Sequence, residues 1–320
     1  MKKLLLTGAS GFVGGAVLDR LLQDGRFEPV ISMRKVWPEL PSMTSVVQVS
    51  AIDATSDWSA ALVDCSVVIH CAARVHVMND TSTDPLAAFR AVNVEGTLRL
   101  AVQAARAGVK RFVFVSSIKV NGEGTALGAP YTADTEPAPE DPYGVSKMEA
   151  EHALRLLAVQ TGMDVVIIRP TLVYGPGVKA NFLNMMNWLS KGVPLPFGAI
   201  YNQRSLVALD NLVDLILTCA EHPSAANETF LVSDGEDLST TQLLRRMAAA
   251  LGVPIRLLPV PVRVLDLGAS LLGHKALSQR ICGSLQVDIS KTQNLLDWVA
   301  PISVDQALAK AAQHFLYVKK

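Results

Sequence analysis

The sequence predicts a doubly wound α/β fold, a parallel sheet covered by helices on both faces and followed by a smaller mixed region. Three observations carry this. Short apolar runs alternate with helical patterns as far as Arg169, and such alternation implies right-handed crossovers between parallel strands. Val67-Val68-Ile69 and Val165-Val166-Ile167 are continuously apolar, as strands buried on both faces are. A glycine-rich turn joins the first apolar run to the first helical pattern.

Leu4 to Leu6 reads as the first strand. Phe12, Val13, Ala16, Val17 and Leu21 recur at helical spacing, and Gly25 ends that helix. Pro29–Met33, Ser45–Val49 and Val67–Ala72 are the next strands. Ala88–Ala107 is one long helix that stops at Gly108. Phe112–Ser116 is the fifth strand, Pro142–Val159 a helix and Val165–Arg169 the sixth strand. Beyond it, Gly175-Pro176-Gly177 and Gly192-Val193-Pro194-Leu195-Pro196 are turn-rich. We therefore divide the chain into a dinucleotide-binding part, 1–174, and a mainly substrate-binding part, 175–320. Arg204–Val207 and Thr229–Val232 are the segments able to rejoin the sheet.

Composition excludes several function classes. Of 320 residues half are hydrophobic and 18% charged, with a formal net charge of zero and no basic block, which argues against a nucleic-acid partner. Cys65, Cys71, Cys219 and Cys282 form no CxxC pair, and no HExxH occurs, so neither a metal nor a disulfide framework is expected. Reduced thiols suit the cytoplasm. The opening Leu4-Leu5-Leu6 is too short an apolar run for a signal peptide. Leu257–Leu272 is apolar but contains Arg263 and Asp266. It reads as an amphipathic helix packed on the protein, with contact to a membrane surface as the alternative and stable insertion not expected.

Thr7-Gly8-Ala9-Ser10-Gly11-Phe12-Val13-Gly14 follows the first strand and opens the first helix. Glycines there permit a tight turn and let backbone approach a pyrophosphate, while the helix N-terminus presents N–H groups to the anion. Gly8, Gly11, Phe12, Val13 and Gly14 are thus candidate cofactor contacts. At the end of the second strand no acidic residue stands where one would hold a ribose 2′-hydroxyl; Arg34 stands there instead and suits a 2′-phosphate, or is simply a solvated strand end. The cofactor expected is NAD(P), with NADP favoured slightly.

Asp141-Pro142-Tyr143-Gly144-Val145-Ser146-Lys147 holds a YxxxK pattern. Asp141 caps a helix and Pro142 suits its first turn, so Tyr143 and Lys147 share one face. A free tyrosine titrates near about 10. A lysine ammonium one turn away, with a cationic nicotinamide, would favour the phenolate and lower that value. Alone, the pattern also fits a surface helix pair. The strand Phe112–Ser116 ends in Ser116-Ser117, beyond the carboxyl edge where open α/β sheets bind ligands. That position adds Ser117 to Tyr143 and Lys147 as the candidate catalytic set.

These residues, with IHCAA at Ile69–Ala73, NVEGT at Asn93–Thr97, SSIKVNG at Ser116–Gly122 and RPTLVYGPG at Arg169–Gly177, resemble the extended short-chain dehydrogenase/reductase family. The resemblance is to its nucleotide-sugar epimerase/dehydratase branch, including the UDP-glucose 4-epimerase-like and UDP-N-acetylquinovosamine dehydrogenase types, and it implies a Rossmann-type fold. It implies that Asp53 lies near the adenine, that Ala72, Ala73 and Asn93 line the cofactor cleft, and that Tyr143 and Lys147 also contact cofactor. Asn181 and Arg204 resemble the family's substrate contacts, Arg204 on a nucleotide diphosphate, which a guanidinium fork suits. A homodimer is usual for such proteins.

The family's dehydratases carry Asp-Glu after the active-site hydroxyl residue, where this chain has Ile118-Lys119; a cysteine that serves epimerisation beside a ketone is also missing at Ile118. UDP-galactose 4-epimerase-like chains show Asn at Leu172 and Tyr at Asn121. The resemblance therefore implies hydride transfer at C4 of a nucleotide-linked sugar. A UDP-4-keto-6-deoxy-sugar reductase of polysaccharide or O-antigen precursor synthesis comes first, a UDP-sugar 4-epimerase with tightly held NAD second, and a reductase of a non-sugar ketone or aldehyde a weaker third.

Overall fold

The structure is a computed structural model that describes residues 1–34, 44–75, 83–271, 273 and 275–319. The elements run β1 (Lys2–Thr7), α1 (Phe12–Asp24), β2 (Phe27–Met33), β3 (Ser45–Gln48), β4 (Cys65–His70), α2 (Pro85–Arg90), α3 (Thr97–Arg106), β5 (Arg111–Val115), α4 (Pro142–Thr161) and β6 (Asp164–Pro170). Then follow β7 (Leu172–Tyr174), α5 (Ala180–Ser190), β8 (Arg204–Ala208), α6 (Leu209–Glu221), β9 (Thr229–Val232), β10 (Asp237–Leu238), α7 (Thr240–Leu251), α8 (Val262–Leu271), α9 (Lys275–Cys282), α10 (Ser290–Leu296) and α11 (Val304–Val318).

Seven strands form one sheet in the order β3-β2-β1-β4-β5-β6-β9, every neighbouring pair parallel. Side chains alternate across it. Leu4 and Leu6 join the core with Ile31, Val113 and Ile168, while Leu5 joins Val30, Val68, Phe112 and Phe114 on the other face. Helices α1 and α6 cover the first face through Val17, Leu21, Leu212 and Ile216. Helices α3 and α4 cover the second through Leu100, Ala104, Ala150 and Leu154. Strand order reverses between β1 and β4, and the crevice above such a switch point is where doubly wound sheets take ligands.

Three expectations change. The helix over 88–107 is interrupted by a π-helical stretch at Ala91–Gly96. Two contacts account for this wider turn. Asn93 points inward and bonds the Arg74 backbone and Ser146, and Gly96 lies so close to Ile52 that an added Cβ would stand 2.7 Å from it.

Of the two segments able to rejoin the sheet, Thr229–Val232 does so as β9 beside β6. Arg204–Ala208 instead lies in a separate three-stranded sheet, β10-β8-β7. The segment from Leu257 is helical only over Val262–Leu271, and none of those residues is buried; Leu272 lies outside the described residues. Among the described residues no helix is long and apolar enough to cross a membrane.

Candidate active site

The glycine loop lies at the switch point. Gly8, just past β1, has φ +75, which favours glycine. A Cβ there would stand 2.7 Å from the Ala72 nitrogen. At Gly14 a Cβ would stand 2.1 Å from the Gly8 carbonyl oxygen, so helix and loop meet at a distance only glycine allows. Gly11 occupies the N-cap of α1 and supplies no side-chain cap. The first N–H groups of a helix have no intrahelical partner, and here they open beside the glycines of the loop. That cradle fits the pyrophosphate of a dinucleotide. Ala72 forms its other wall and donates its N–H to Thr7 Oγ1 at 3.3 Å.

Tyr143 and Lys147 lie in the first two turns of α4. Asp141 caps that helix by accepting from Gly144 N at 2.7 Å, and Pro142 follows. Ser117 follows β5 in extended backbone, and its Oγ accepts from Lys119 N at 3.2 Å. The same hydroxyl lies on the side of the Tyr143 phenol and acts to lower its pKa. Lys147 is buried; its Nζ donates to Val115 O at 2.8 Å and stands 4.2 Å from the Phe114 ring centre.

Without a cofactor, the protein's own electrostatics favour the neutral phenol. Burial pushes the Tyr143 phenol up to about 12, the Asp141 carboxylate adding to the rise and the Ser117 hydroxyl opposing it. Part of the ring remains accessible, but the surroundings of the hydroxyl are dense, and dense surroundings disfavour the phenolate. Burial also pulls Lys147 down to about 8, with Glu151 and Cys71 acting to raise it. In the protein alone Tyr143 is therefore a protonated acid. Positive charge entering the cleft would favour the phenolate and bring that value down.

Behind α4 lies a polar network that the sequence alone did not reveal. Glu151, one turn beyond Lys147, is buried and receives Arg169 Nη2 at 2.6 Å, Arg169 Nε at 3.0 Å and Ser116 Oγ at 2.6 Å. Arg169 also donates from Nη1 to Asn121 Oδ1 at 3.0 Å. The network ties α4 to the end of β6 and to the loop that carries Ser117. In front, Lys119 pairs with Glu123 and Asp141. One signal in the sequence pointed here: Tyr143, Lys147 and Glu151 repeat at every fourth position on one helix face, so the carboxylate shares the buried side.

The remaining candidates divide. Asn93 is buried and its amide is committed to Arg74 N and O at 2.8 and 3.0 Å and to Ser146 Oγ at 3.0 Å, an arrangement that fixes the wall at Ala72 and Ala73. One Asp53 oxygen accepts from Thr55 N at 2.8 Å and from Thr55 Oγ1 at 2.8 Å, capping its own turn. Arg34 is exposed at the end of β2. Arg204 opens β8 and is anchored at 3.0 Å from Nη1 to Gly283 O. Burial lowers its pKa, with Glu123 opposing. Asn181 is exposed in the first turn of α5.

A dinucleotide cradle at the switch point, with a serine, a tyrosine and a lysine at the neighbouring strand end, defines a dinucleotide-dependent oxidoreductase of the short-chain type. A model described as the NAD dependent epimerase/dehydratase family matches residues 4–233, and the chain belongs to that family of enzymes. It is 48% identical over 316 residues to a Vibrio cholerae protein named UDP-glucose 4-epimerase, covering 98% of this chain and 96% of that one. It is 29% identical over 336 residues to N-acetyl-alpha-D-glucosaminyl-diphospho-ditrans,octacis-undecaprenol 4-epimerase of Escherichia coli O157:H7, covering 99% and 96%. The solved UDP-glucuronic acid 4-epimerase of Bacillus cereus, in complex with NAD, shares the fold with a TM-score of 0.79 at 21% identity, covering 99% of this chain and 100% of that one.

Proposed function

We propose that this protein is an NAD-dependent 4-epimerase of a UDP-hexose, the second of the readings drawn from the sequence. The observation that carries it is the 48% identity, from end to end, with a protein named UDP-glucose 4-epimerase. The site supports it: Ser117, Tyr143 and Lys147 come together, and Ile118-Lys119 supplies no further acid–base pair for elimination of water. One departure from the 4-epimerase pattern, Asn121, lies outside the substrate pocket. Asn121 is buried and its carbonyl serves Arg169, so that departure alters the network behind the site.

When bound, NAD supplies a reversible hydride acceptor at one carbon. Tyr143 takes the proton of the C4 hydroxyl, Ser117 hydrogen-bonds the same oxygen, and Lys147 holds positive charge beside the cleft. After the 4-keto sugar presents its opposite face, Tyr143 returns the proton to oxygen. Arg204 would hold the diphosphate and Asn181 the sugar side of the pocket.

The reductase reading keeps one support, Arg34 at the end of β2 without an acidic neighbour there, a pattern that suits NADP. Denaturing the purified protein and identifying what it releases separates the two. Stoichiometric NAD, with interconversion of UDP-glucose and UDP-galactose and no added cofactor, is the expected result. A protein that releases nothing, binds NADPH more tightly than NADH and consumes it with a UDP-4-keto sugar would make it a reductase.

A further inference from the structure

The helical hairpin α8–α9 stands apart from the cores. No residue of α8 is buried. Val264, Leu267 and Leu271 are exposed, Leu267 by 63% and Leu271 by 80%, and Leu258 before the helix is exposed as well. Spacings of three and four put Val264, Leu267 and Leu271 on one stripe. Val262, Leu265, Gly268 and Ala269 are half-buried on the opposite side. An apolar stripe of this kind on a helix with no buried residue marks an interaction surface.

Charge says what covers it. From residue 256 to residue 280 the sequence has four Lys or Arg and one carboxylate, Asp266, a net +3 in a chain whose formal net charge is zero. Arg256, Arg263 and Arg280 are exposed. Asp266 accepts a hydrogen bond from Ser278 of α9, so the one anion is turned to a partner within the hairpin. Two copies meeting through this face would bring two positive surfaces together. An anionic lipid surface would receive both the apolar stripe and the cations.

We propose that α8–α9 rests on an anionic membrane surface, the Val264-Leu267-Leu271 stripe entering the headgroup boundary while Arg263 and Arg280 meet lipid phosphates. The chain returning from α9 carries Gly283, whose carbonyl anchors Arg204. Contact with the membrane would thus lie at the root of the proposed diphosphate clamp. That functional consequence rests on the role proposed for Arg204; the membrane contact itself does not.

The test is flotation of the full chain with vesicles of phosphatidylcholine alone and of phosphatidylcholine containing phosphatidylglycerol. The expected result is flotation with the anionic vesicles only, weakened by salt. It should fall at least tenfold in Leu267→Glu/Leu271→Glu and in Arg263→Glu/Arg280→Glu, while turnover of soluble UDP-glucose stays at the level of the unaltered protein. Three outcomes would overturn it: failure to float with either vesicle, flotation untouched by both double substitutions, or a halving of the solution mass in Leu267→Glu/Leu271→Glu, which would make the stripe a contact between copies. Flotation as expected with no turnover of any UDP-sugar would leave the membrane contact standing and remove the epimerase reading.

Discussion

The two parts of the molecule hold their functional side chains in different ways. Behind Ser117, Tyr143 and Lys147 the support is a buried ion pair: Glu151 and Arg169 are each 1% exposed and pair bidentately. The residues assigned to substrate stand on weaker supports. Arg204 has one hydrogen bond to a carbonyl, Asn181 is exposed, and the hairpin next to Arg204 buries no α8 side chain. The difference teaches where chemistry ends and specificity begins. Proton transfer needs fixed geometry, whereas a pocket that discriminates among sugars is built on parts that can vary without unfolding the sheet.

The comparison breaks first at Glu151. Replacing it by Gln leaves the buried Arg169 charge uncompensated, which should cost about 3–5 kcal/mol of stability. Denaturant unfolding measures this directly. The matching change at Glu236, which pairs with Arg246 at the surface of the second part, should cost less than about 1 kcal/mol. Equal losses at the two sites would mean that the network behind α4 is no more integral than a surface pair.

Next comes Tyr143→Phe. It removes the acid–base hydroxyl and keeps the ring, so turnover should fall by roughly 10²-fold or more with cofactor retention unchanged. Steady-state kinetics beside the release assay checks both. Turnover close to that of the unaltered protein would take Tyr143 out of the reaction.

A smaller effect is expected at Arg204. Its charge-assisted bonds to a diphosphate should be worth enough that Arg204→Ala raises the KM for a UDP-sugar on the order of tenfold, with kcat little changed. An unchanged KM would leave Arg204 only its contact with Gly283 O.

Much of the first part was legible because its signals are local. A strand followed by glycines and a helix, and a Tyr–Lys pair behind a capping Asp and Pro, are set by neighbours in sequence. The seven-strand sheet and the meeting of Ser117 with Tyr143 follow from them. What was not legible depends on distant partners. Glu151 meets Arg169 only once α4 packs on β6, and Arg204–Ala208 pairs with β7 and β10 where its pattern suited the main sheet equally. The burial of the Tyr143 phenol belongs with these distant effects. The lysine one turn away is visible in sequence, but the density around the phenol, which raises its pKa in the protein alone, is not.

His70 gives the finest test of how buried polar groups serve the first part. It ends β4 fully buried; Nδ1 lies 2.7 Å from Thr7 Oγ1, just before the glycine loop, and Nε2 lies 3.0 Å from Thr97 Oγ1 in α3. Burial, then the nearby Lys147 charge, depress its pKa to about 3, against an ordinary 6.5. Between those values the unfolded chain binds a proton that the folded chain refuses. The stability from neutral His70 is therefore complete above about pH 6.5 and is lost as pH falls towards 3, at up to about 1.4 kcal/mol per pH unit. Thermal unfolding from pH 7 to pH 4 should show this acid limb, and His70→Gln, which cannot titrate, should flatten it despite a lower starting stability at pH 7. An equally steep limb in the variant would assign the acid sensitivity to carboxylates and reduce His70 to a spacer between Thr7 and Thr97.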